Sequence, residues 1–280
     1  MGANEQTAAL VALMRAGGRA WARYVIEARA LGSAAAVHPQ AVLERELGLL
    51  SYQALADALQ LLDDWHARGY GVVTLRDQDY PQNLRVVENR PPLLFISGAL
   101  TDADAHSVAV IGTRSPSDAG RALAAAVAAR LVSAGYSVFS GLAAGVDTSA
   151  HEAALAAGGR TVAVVGTGLD RCYPEENADL QRRIAGHGAV VSQFWPESPP
   201  TRHSFPARNA VMAGMTLATV VVEASERSGT RIQARHVLAQ GRQLVLMSSV
   251  LSHAWATELA ARPGVSVART PDDVLAALRA

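Results

Sequence analysis

Short apolar segments alternate with helical stretches from residue 107 onward, and this alternation constrains the fold more than any other feature. Strands separated by helical crossovers favour a mostly parallel, doubly wound α/β sheet. In such a sheet, ligands bind beyond the carboxyl ends of the strands. The seven apolar segments lie at 108–112, 136–140, 161–166, 188–192, 218–223, 243–248 and 265–268.

The sequence before this sheet predicts two further parts. Residues 1–68 are predicted to form a small helical domain, because apolar residues such as Leu62 and Trp65 recur at spacings of three and four. Residues 69–106 contain an extended segment and several prolines, which predicts a linker. The sheet domain is therefore expected to span 107–280.

Composition excludes several classes of function. All 25 basic residues are arginines, and 25 acidic residues balance them, so no overall field attracts nucleic acid or a membrane surface. A chain without lysine has no Walker phosphate loop. The single Cys172 excludes an internal disulfide and a multi-cysteine zinc site. No apolar run is long enough to span a bilayer, so we expect a cytoplasmic protein with no membrane contact. We also expect no metal and no cofactor.

The first strand of the sheet runs directly into a glycine turn, Gly112-Thr113-Arg114, which a helix-like segment follows. Unpaired backbone N–H groups and the positive end of a helix dipole favour anions at such a position. Arg114 adds a planar, permanently charged group suited to phosphate. The turn is therefore predicted to bind phosphate.

Later strands are also followed by glycine-bearing loops, one with Ser140, Gly141 and Gly145 and one with Gly166 and Gly168. Taken singly, each glycine is more often only a turn residue. The Gly-x-Gly at 166–168 lacks the third glycine of a dinucleotide site, which disfavours NAD.

The four-residue spacing of Asp147 and His151 would allow a metal site or an acid–base pair on one helix face. The same spacing suits a helix cap beside a hydrogen-bonded histidine, and this second interpretation is favoured.

A loop at 201–209 interleaves basic residues with an aromatic one. Between residues 198 and 242 there are six arginines against two glutamates, so the surroundings are locally basic. This pattern suits single-stranded nucleic acid, in which arginine contacts phosphates and an aromatic ring stacks on a base. A solvated loop with the aromatic ring in the core fits equally well. The residues concerned are Arg202, His203, Phe205, Arg208 and Asn209.

Five segments resemble the DNA-processing protein A family, also called DprA or Smf, and they occur in the order of that family. The resemblance extends from about Ser107 to about Arg242. The segments are VAVIGTRSPS (108–117), SGLAAGVDTSAH (140–151), GGRTVAVVGTGLDRCYPEENADLQRRI (158–184), FPARNAVMAG (205–214) and VVEASERSGTRIQA (221–234).

The resemblance implies a Rossmann-like core behind a sterile-alpha-motif-like helical domain. It implies a homodimer that binds single-stranded DNA without sequence preference and hands it to the recombinase RecA in natural transformation, with no catalysis. The winged-helix domain that many members carry at the C-terminus is expected to be absent.

The resemblance also identifies candidate DNA and phosphate contacts. Gly112, Thr113 and Arg114 match the phosphate-binding turn of the family. Its FPxRN motif corresponds to Phe205, Arg208 and Asn209, and its SGT loop corresponds to Ser228, Gly229 and Thr230. With the loops described above, the predicted contacts are Gly112, Thr113, Arg114, Ser140, Gly141, Gly145, Arg202, His203, Phe205, Arg208, Asn209, Ser228, Gly229 and Thr230.

An enzyme or sensor for a small nucleotide is the main alternative. The segment from Ser228 to Gln233 resembles the signature of the Lonely Guy phosphoribohydrolases, which require a carboxylate three residues after the threonine. Gln233 stands at that position and cannot serve as a base, which disfavours hydrolysis. A non-hydrolytic nucleotide sensor needs only the phosphate site, so this alternative stays open. An architectural protein with a vestigial pocket is the third alternative.

Overall fold

The computed structural model describes residues 3–16, 51–226 and 229–279. The chain divides into two compact units, Met1–Tyr70 and Gly71–Ala280.

The first unit contains two described helices, α1 (Ala3–Ala16) and α2 (Tyr52–Ala67). Helix α2 buries Leu62 and Trp65, as the spacing of its apolar residues predicts. The rest of the predicted helical domain, residues 17–50, lies outside the described residues.

One nine-stranded sheet organises the second unit, with strand order β1-β2-β6-β5-β4-β3-β7-β8-β9. Pairing is parallel from β6 to β9 across the sheet, whereas β2 pairs antiparallel with β6. The predicted mostly parallel, doubly wound sheet is therefore confirmed. The strands are β1 (Tyr70–Thr74), β2 (Leu93–Gly98), β3 (Ser107–Ile111), β4 (Ser137–Ser140), β5 (Thr161–Val164), β6 (Ala189–Ser192), β7 (Ala218–Val221), β8 (Gln243–Met247) and β9 (Val265–Ala268).

Helical crossovers connect the parallel strands, and strands β3 to β7 are buried along their whole length. Such uninterrupted burial is typical of parallel strands covered on both faces. None of the described helices is long and apolar enough to cross a membrane. The helices of this unit are α3 (Gln82–Arg85), α4 (Asp118–Ser133), α5 (Val146–Ala156), α6 (Ala178–His187), α7 (Ser204–Met215), α8 (Thr230–Ala239), α9 (Ala254–Ala260) and α10 (Pro271–Arg279).

The segment 69–106, predicted as a linker, differs from expectation because it contributes to the sheet. Strand β2 pairs with β6, and Phe95 lies opposite Ser192. Tyr80 is buried, and its hydroxyl donates a hydrogen bond to the carbonyl oxygen of Pro91 at 2.7 Å. The prolines therefore border elements packed into the core, and the compact unit begins at Gly71.

The strand order reverses beside β3, which positions the candidate site. From β3 the chain crosses to β4 on one side, and it later returns to place β7 on the other side. Ile111 and Val221 are paired at the ends of these two strands. The carboxyl ends of β3 and β7 therefore flank a switch crevice, where α/β sheets bind their ligands.

Candidate nucleic-acid interface

A cavity of about 510 Å³ lies at the switch crevice, within the size range of small-molecule and cofactor sites. Its wall combines the turn after β3, the start of α7 and the start of α8, so distant parts of the sequence meet there. The residues that line this crevice cavity are Ile111, Gly112, Thr113, Arg114, Ala143, Asp147, Arg202, Phe205, Pro206, Arg208, Asn209, Ser225, Gly229, Thr230, Ile232 and Gln233.

The turn after β3 and the loop at 201–209 meet at an aromatic cluster of Arg114, Phe205 and Tyr173. The guanidinium carbon of Arg114 lies 5.3 Å from the centroid of the Phe205 ring and 6.0 Å from that of Tyr173. The centroids of the two rings are 5.5 Å apart and the rings are tilted by 48°. These distances fall within the range of cation–π and aromatic contacts.

The sequence left open whether the Phe205 ring is available for stacking on a base or lies in the core. The structure places it between these two arrangements. It is half-buried and forms part of the cavity wall, whereas Tyr173 is 44% exposed. A Cβ atom at Gly166 would lie 2.8 Å from the Phe205 ring, so the absent side chain lets the ring pack against the end of β5. Exposed and half-buried rings side by side provide a surface on which planar groups can stack.

The backbone of the turn after β3 already has partners within the chain. The N–H of Thr113 donates to the carbonyl oxygen of Glu223 at 2.8 Å, and the N–H of Ser115 donates to Oγ1 of Thr113 at 3.3 Å. Arg114 is exposed. Two of the N–H groups of the turn are therefore already used, which leaves the exposed Arg114 side chain as the main candidate for an anion contact.

The N-terminus of α4 is not open to phosphate, contrary to the expectation for the helix after this turn. The Glu223 carboxylate accepts hydrogen bonds from the N–H of Ser117 at 3.0 Å and from its hydroxyl at 2.7 Å. A side chain at Gly120 would overlap this carboxylate. The chain's own anion therefore occupies the position that a phosphate would take at this helix end.

Removal of the Glu223 side chain should destabilise the protein, because it leaves the first turn of α4 without this acceptor. For Glu223→Ala we expect the free energy of unfolding to fall by about 1 to 2 kcal/mol in urea titrations. Glu226, from the same loop, is 59% exposed and pairs with His253, so Glu226→Ala should cost about 0.5 kcal/mol or less. Equal effects of the two substitutions would contradict the capping role.

Arg208 is buried, in contrast to the other arginines of the cavity. Its Nη1 donates to the carbonyl oxygens of Val164, at 2.7 Å, and Gly141, while Nε donates to Oδ1 of Asn209 at 2.9 Å. Burial lowers the pKa of Arg208 to about 10, against the opposing effect of Asp147, so the group stays charged at neutral pH. Arg208 therefore joins the ends of β4 and β5 to α7.

Asp147 and His151 have a structural role, because each makes buried hydrogen bonds to a neighbouring element. Asp147 accepts hydrogen bonds from the N–H groups of Gly141 and Ala143, at 3.0 and 3.3 Å, so it binds the preceding loop instead of capping its own helix. Burial raises the pKa of Asp147, and Arg208 opposes that rise.

The histidine of this pair is buried against the neighbouring strand. Nδ1 of His151 lies 2.7 Å from Oγ1 of Thr161, and burial lowers the pKa of His151 to about 3, which keeps the ring neutral. Within the described ranges, no group of three His, Cys, Asp or Glu side chains is placed to hold a metal ion.

The remaining predicted residues fall into three groups. Arg202, Gly229 and Thr230 line the cavity with the turn, Phe205, Arg208 and Asn209. Ser140, Gly141, Gly145 and His203 are not among its lining residues, and Ser228 lies outside the described residues.

Ser140 and Gly145 act on loop geometry instead. The Ser140 hydroxyl donates to the carbonyl oxygen of Val110 at 2.6 Å. Gly145 has a φ of 85°, and a Cβ atom there would lie 2.6 Å from the carbonyl oxygen of Thr113. His203 is exposed at the N-cap of α7.

Sequence reasoning missed Tyr173 and Gln233 as site residues. Tyr173 follows the Gly-x-Gly loop after β5, and its aromatic ring in a polar loop was the available signal. Gln233 was considered only as the position of a missing carboxylate, yet it is buried in the cavity wall.

Comparison with known proteins identifies the family. A family model described as DNA recombination-mediator protein A matches residues 71–279, which is the whole described sheet unit. The chain belongs to this family. Membership confirms the resemblance carried by the five sequence segments, and it places the crevice cavity in the part of the chain that the DNA recombination-mediator protein A family shares.

Over the aligned regions, relatives in this family are identical to the chain at about a third of the positions. Protein Smf of a Synechocystis strain is 38% identical over 63% of this chain and 46% of its own length. The DNA processing protein DprA of Streptococcus pneumoniae is 39% identical over 61% of this chain and 60% of its own length. The corresponding Bacillus subtilis protein is 31% identical, over 66% and 63%. The chain thus spans about half to three fifths of these curated relatives.

Solved structures of DNA processing protein A have the same fold. The Streptococcus pneumoniae protein superposes with a TM-score of 0.68 and 32% identity, covering 84% of both chains. A Helicobacter pylori structure that concerns the single-stranded DNA binding mode of that protein superposes with a TM-score of 0.66 and 24% identity. It covers 75% of this chain and 95% of the other.

Proposed function

We propose that the chain binds single-stranded DNA without sequence preference at the crevice cavity, as a non-catalytic recombination mediator. The aromatic cluster carries the proposal, because Arg114 can contact a phosphate while Phe205 and Tyr173 lie beside it for stacking on bases. Relatives named DNA processing protein support this assignment, as does the Helicobacter pylori protein described by its single-stranded DNA binding mode.

The charges around the cavity favour a polyanion. Arg114 and Arg202 are exposed at its edge. Asp147 is the one carboxylate among the described lining residues, and backbone N–H groups bind it. Contacts between arginine side chains and DNA phosphates do not depend on base sequence.

The lining also argues against catalysis. A hydrolytic enzyme of the related nucleotide-processing group needs a carboxylate where this chain has the Gln233 amide. The buried Asp147 and the neutral His151 are both held by structural hydrogen bonds. A nucleotide sensor remains the second candidate, because the cavity volume is sufficient for one nucleotide.

Fluorescence anisotropy with oligothymidylate across a salt series tests the proposal directly. We expect binding that weakens as salt rises, because phosphate contacts release counterions from the strand. Tight binding of thymidine monophosphate with no affinity for the oligonucleotide would favour the sensor instead.

The Tyr173 ring is expected to contribute to binding by stacking. Tyr173→Ala should weaken oligothymidylate binding by about 1 to 3 kcal/mol, whereas Tyr173→Phe should keep most of the affinity because the ring remains. The matched control is Tyr52→Ala, which removes a ring that is 89% exposed in the first unit. If Tyr173→Ala binds as tightly as the wild type, Tyr173 is not a stacking surface.

We further propose that the chain acts as a homodimer, protects incoming DNA and loads RecA onto it during natural transformation. The description of the family as a recombination mediator supports this assignment. Light scattering on the purified chain measures the dimer. Two measurements test the partnership with RecA. The first is capture of RecA on the immobilised chain, and the second is the rate at which RecA assembles on the bound strand. Failure of both would refute the partnership.

A further inference from the structure

A second cavity lies at the edge of the sheet opposite the crevice. It has a volume of about 360 Å³, within the range of small-molecule sites. Ala105 and Met215, which shortly precede β3 and β7, belong to its wall, so it lies at the amino ends of the strands whose carboxyl ends flank the crevice. The five residues of β3 separate the two sites by roughly 16 Å. We call this second site the amino-edge cavity.

The described residues that line the amino-edge cavity include three carboxylates and neither an arginine nor a histidine. The carboxylates are those of Asp79, Asp102 and Asp104. Arg160 pairs with Asp104, through Nε at 2.7 Å and Nη2 at 2.6 Å. Asp79 and Asp102 are exposed and have no ion pair within the described part of the chain. These two negative charges are therefore available to a cation from outside.

The arginines nearest to the amino-edge cavity direct their donors elsewhere. The guanidinium carbon of Arg85 lies 5.4 Å from the centroid of the Tyr80 ring. Nη1 of Arg85 donates to the carbonyl oxygen of Leu75 at 2.7 Å, and Nη2 donates to that of Asp77. Arg85 therefore holds the loop after β1 and does not neutralise the exposed carboxylates.

An apolar part completes the amino-edge cavity. Tyr80 and Met215 are 1% and 2% exposed, and Leu100 is half-buried. A ligand with an apolar stem and a cationic end matches this division. Arginine has both, since its methylene groups pack on apolar surface and its guanidinium presents five donors to carboxylates. A guanidinium is also more weakly hydrated than an ammonium group, which favours arginine over lysine at a partly buried site.

We propose that the amino-edge cavity binds an arginine side chain presented by a basic segment of a partner protein. The pair of Asp104 and Arg160 shows the same chemistry at one wall, with both carboxylate oxygens bonded to one guanidinium. Arginine is also enriched at protein interfaces. The inference goes beyond DNA binding and does not rest on it. Because the two cavities lie at opposite ends of β3, a partner and a DNA strand can bind at the same time.

Nuclear magnetic resonance with a blocked pentapeptide tests the inference on the full chain. The peptide carries one central arginine between glycines, and its control replaces the arginine by citrulline, which has nearly the same shape and no charge. We expect the arginine peptide to shift the backbone amide resonances of Gln82 and Ala105 in the cavity wall. It should bind at least about tenfold more tightly than the citrulline peptide.

Two substitutions remove the exposed charges at nearly constant size. Asp79→Asn and Asp102→Asn should each lower the affinity for the arginine peptide roughly two- to fivefold and leave that for the citrulline peptide unchanged. The matched control is Glu258→Gln, which removes an exposed charge on α9 outside the lining and should bind the peptide like the wild type. Because both carboxylates are exposed, the melting temperatures should stay within about 2 °C of the wild type.

Oligothymidylate anisotropy separates the amino-edge cavity from the crevice. Both aspartate variants should bind the oligonucleotide with wild-type affinity, because the Debye length at physiological salt is about 8 Å and the sites are farther apart than this. A changed oligothymidylate affinity in either variant would contradict the independence of the two sites.

Three results would overturn the inference. The first is equal binding of the arginine and citrulline peptides. The second is a wild-type affinity for the arginine peptide in the double variant of Asp79→Asn with Asp102→Asn. The third is tighter binding of spermidine, a free polyamine without a guanidinium, which would assign the cavity to a small cation instead of a partner protein. All three leave the proposed binding of single-stranded DNA untouched.

Discussion

Substitution of Arg114 by alanine is expected to weaken binding of single-stranded DNA by about tenfold at moderate salt, the loss of one charge-assisted contact. The reason is geometric as well as electrostatic. Arg114 lies against both rings of the aromatic cluster, so its removal takes away a phosphate contact and a neighbour of the stacking surface. The slope of log K against log salt should become shallower by about 0.7 on the single-strand scale.

Anisotropy titrations of oligothymidylate at several salt concentrations measure both quantities. The matched control is Arg182→Ala, which removes the same charge from α6, where the guanidinium pairs with Asp179 at 3.2 Å. Its salt slope should equal that of the wild type. A slope unaffected by Arg114→Ala would refute the phosphate contact, whatever the affinity.

Replacement of Arg208 by methionine is expected to be the most destabilising of the substitutions considered. It leaves the carbonyl oxygens of Gly141 and Val164 without their donor. It also removes the positive charge that stabilises the buried Asp147 carboxylate. We expect the free energy of unfolding to fall by about 3 to 5 kcal/mol at pH 7 in urea titrations followed by circular dichroism.

The pH dependence of this loss follows from Asp147. Burial raises its pKa in the folded state, and without Arg208 the pKa should rise further. A group whose pKa is higher in the folded state than in the unfolded state makes the folded protein less stable as pH rises toward that folded-state pKa. The deficit of Arg208→Met should therefore be smallest below about pH 4 and grow toward neutral pH.

A double variant separates charge from hydrogen bonding. Asp147→Asn combined with Arg208→Met removes both charges, so its stability should vary little between pH 4 and pH 7 compared with Arg208→Met. A deficit in Arg208→Met that stays constant with pH, or that is below about 1 kcal/mol, would contradict the assigned role.

The fold was predictable because it depends on patterns along the chain. Each of the seven predicted strands is present, since short apolar runs between helical stretches have few other stable arrangements. The placement of 69–106 was not predictable in the same way. Its prolines suggested a linker, and only the pairing of β2 with β6 shows that its apolar run joins the sheet.

The site was predictable in its location and only partly in its residues. Sheet topology brings the turn at Arg114 and the loop at Phe205 to one edge, and the distances place them in contact. Sequence does not distinguish an exposed arginine from a buried one, so Arg202 and Arg208 looked alike. The capping of α4 by Glu223 joins residues more than a hundred positions apart, for which no local pattern exists.

The carboxylate of Glu223 at the start of α4 has a consequence for the kind of ligand the crevice can hold. Rossmann folds that bind dinucleotides place a pyrophosphate at the corresponding helix end, where this chain has fixed a negative charge of its own. A pyrophosphate is therefore electrostatically disfavoured at that position. Attraction falls instead to the exposed guanidinium groups of Arg114 and Arg202, so under the proposed function a phosphate of the strand is held at the edge of the crevice and not at a helix end.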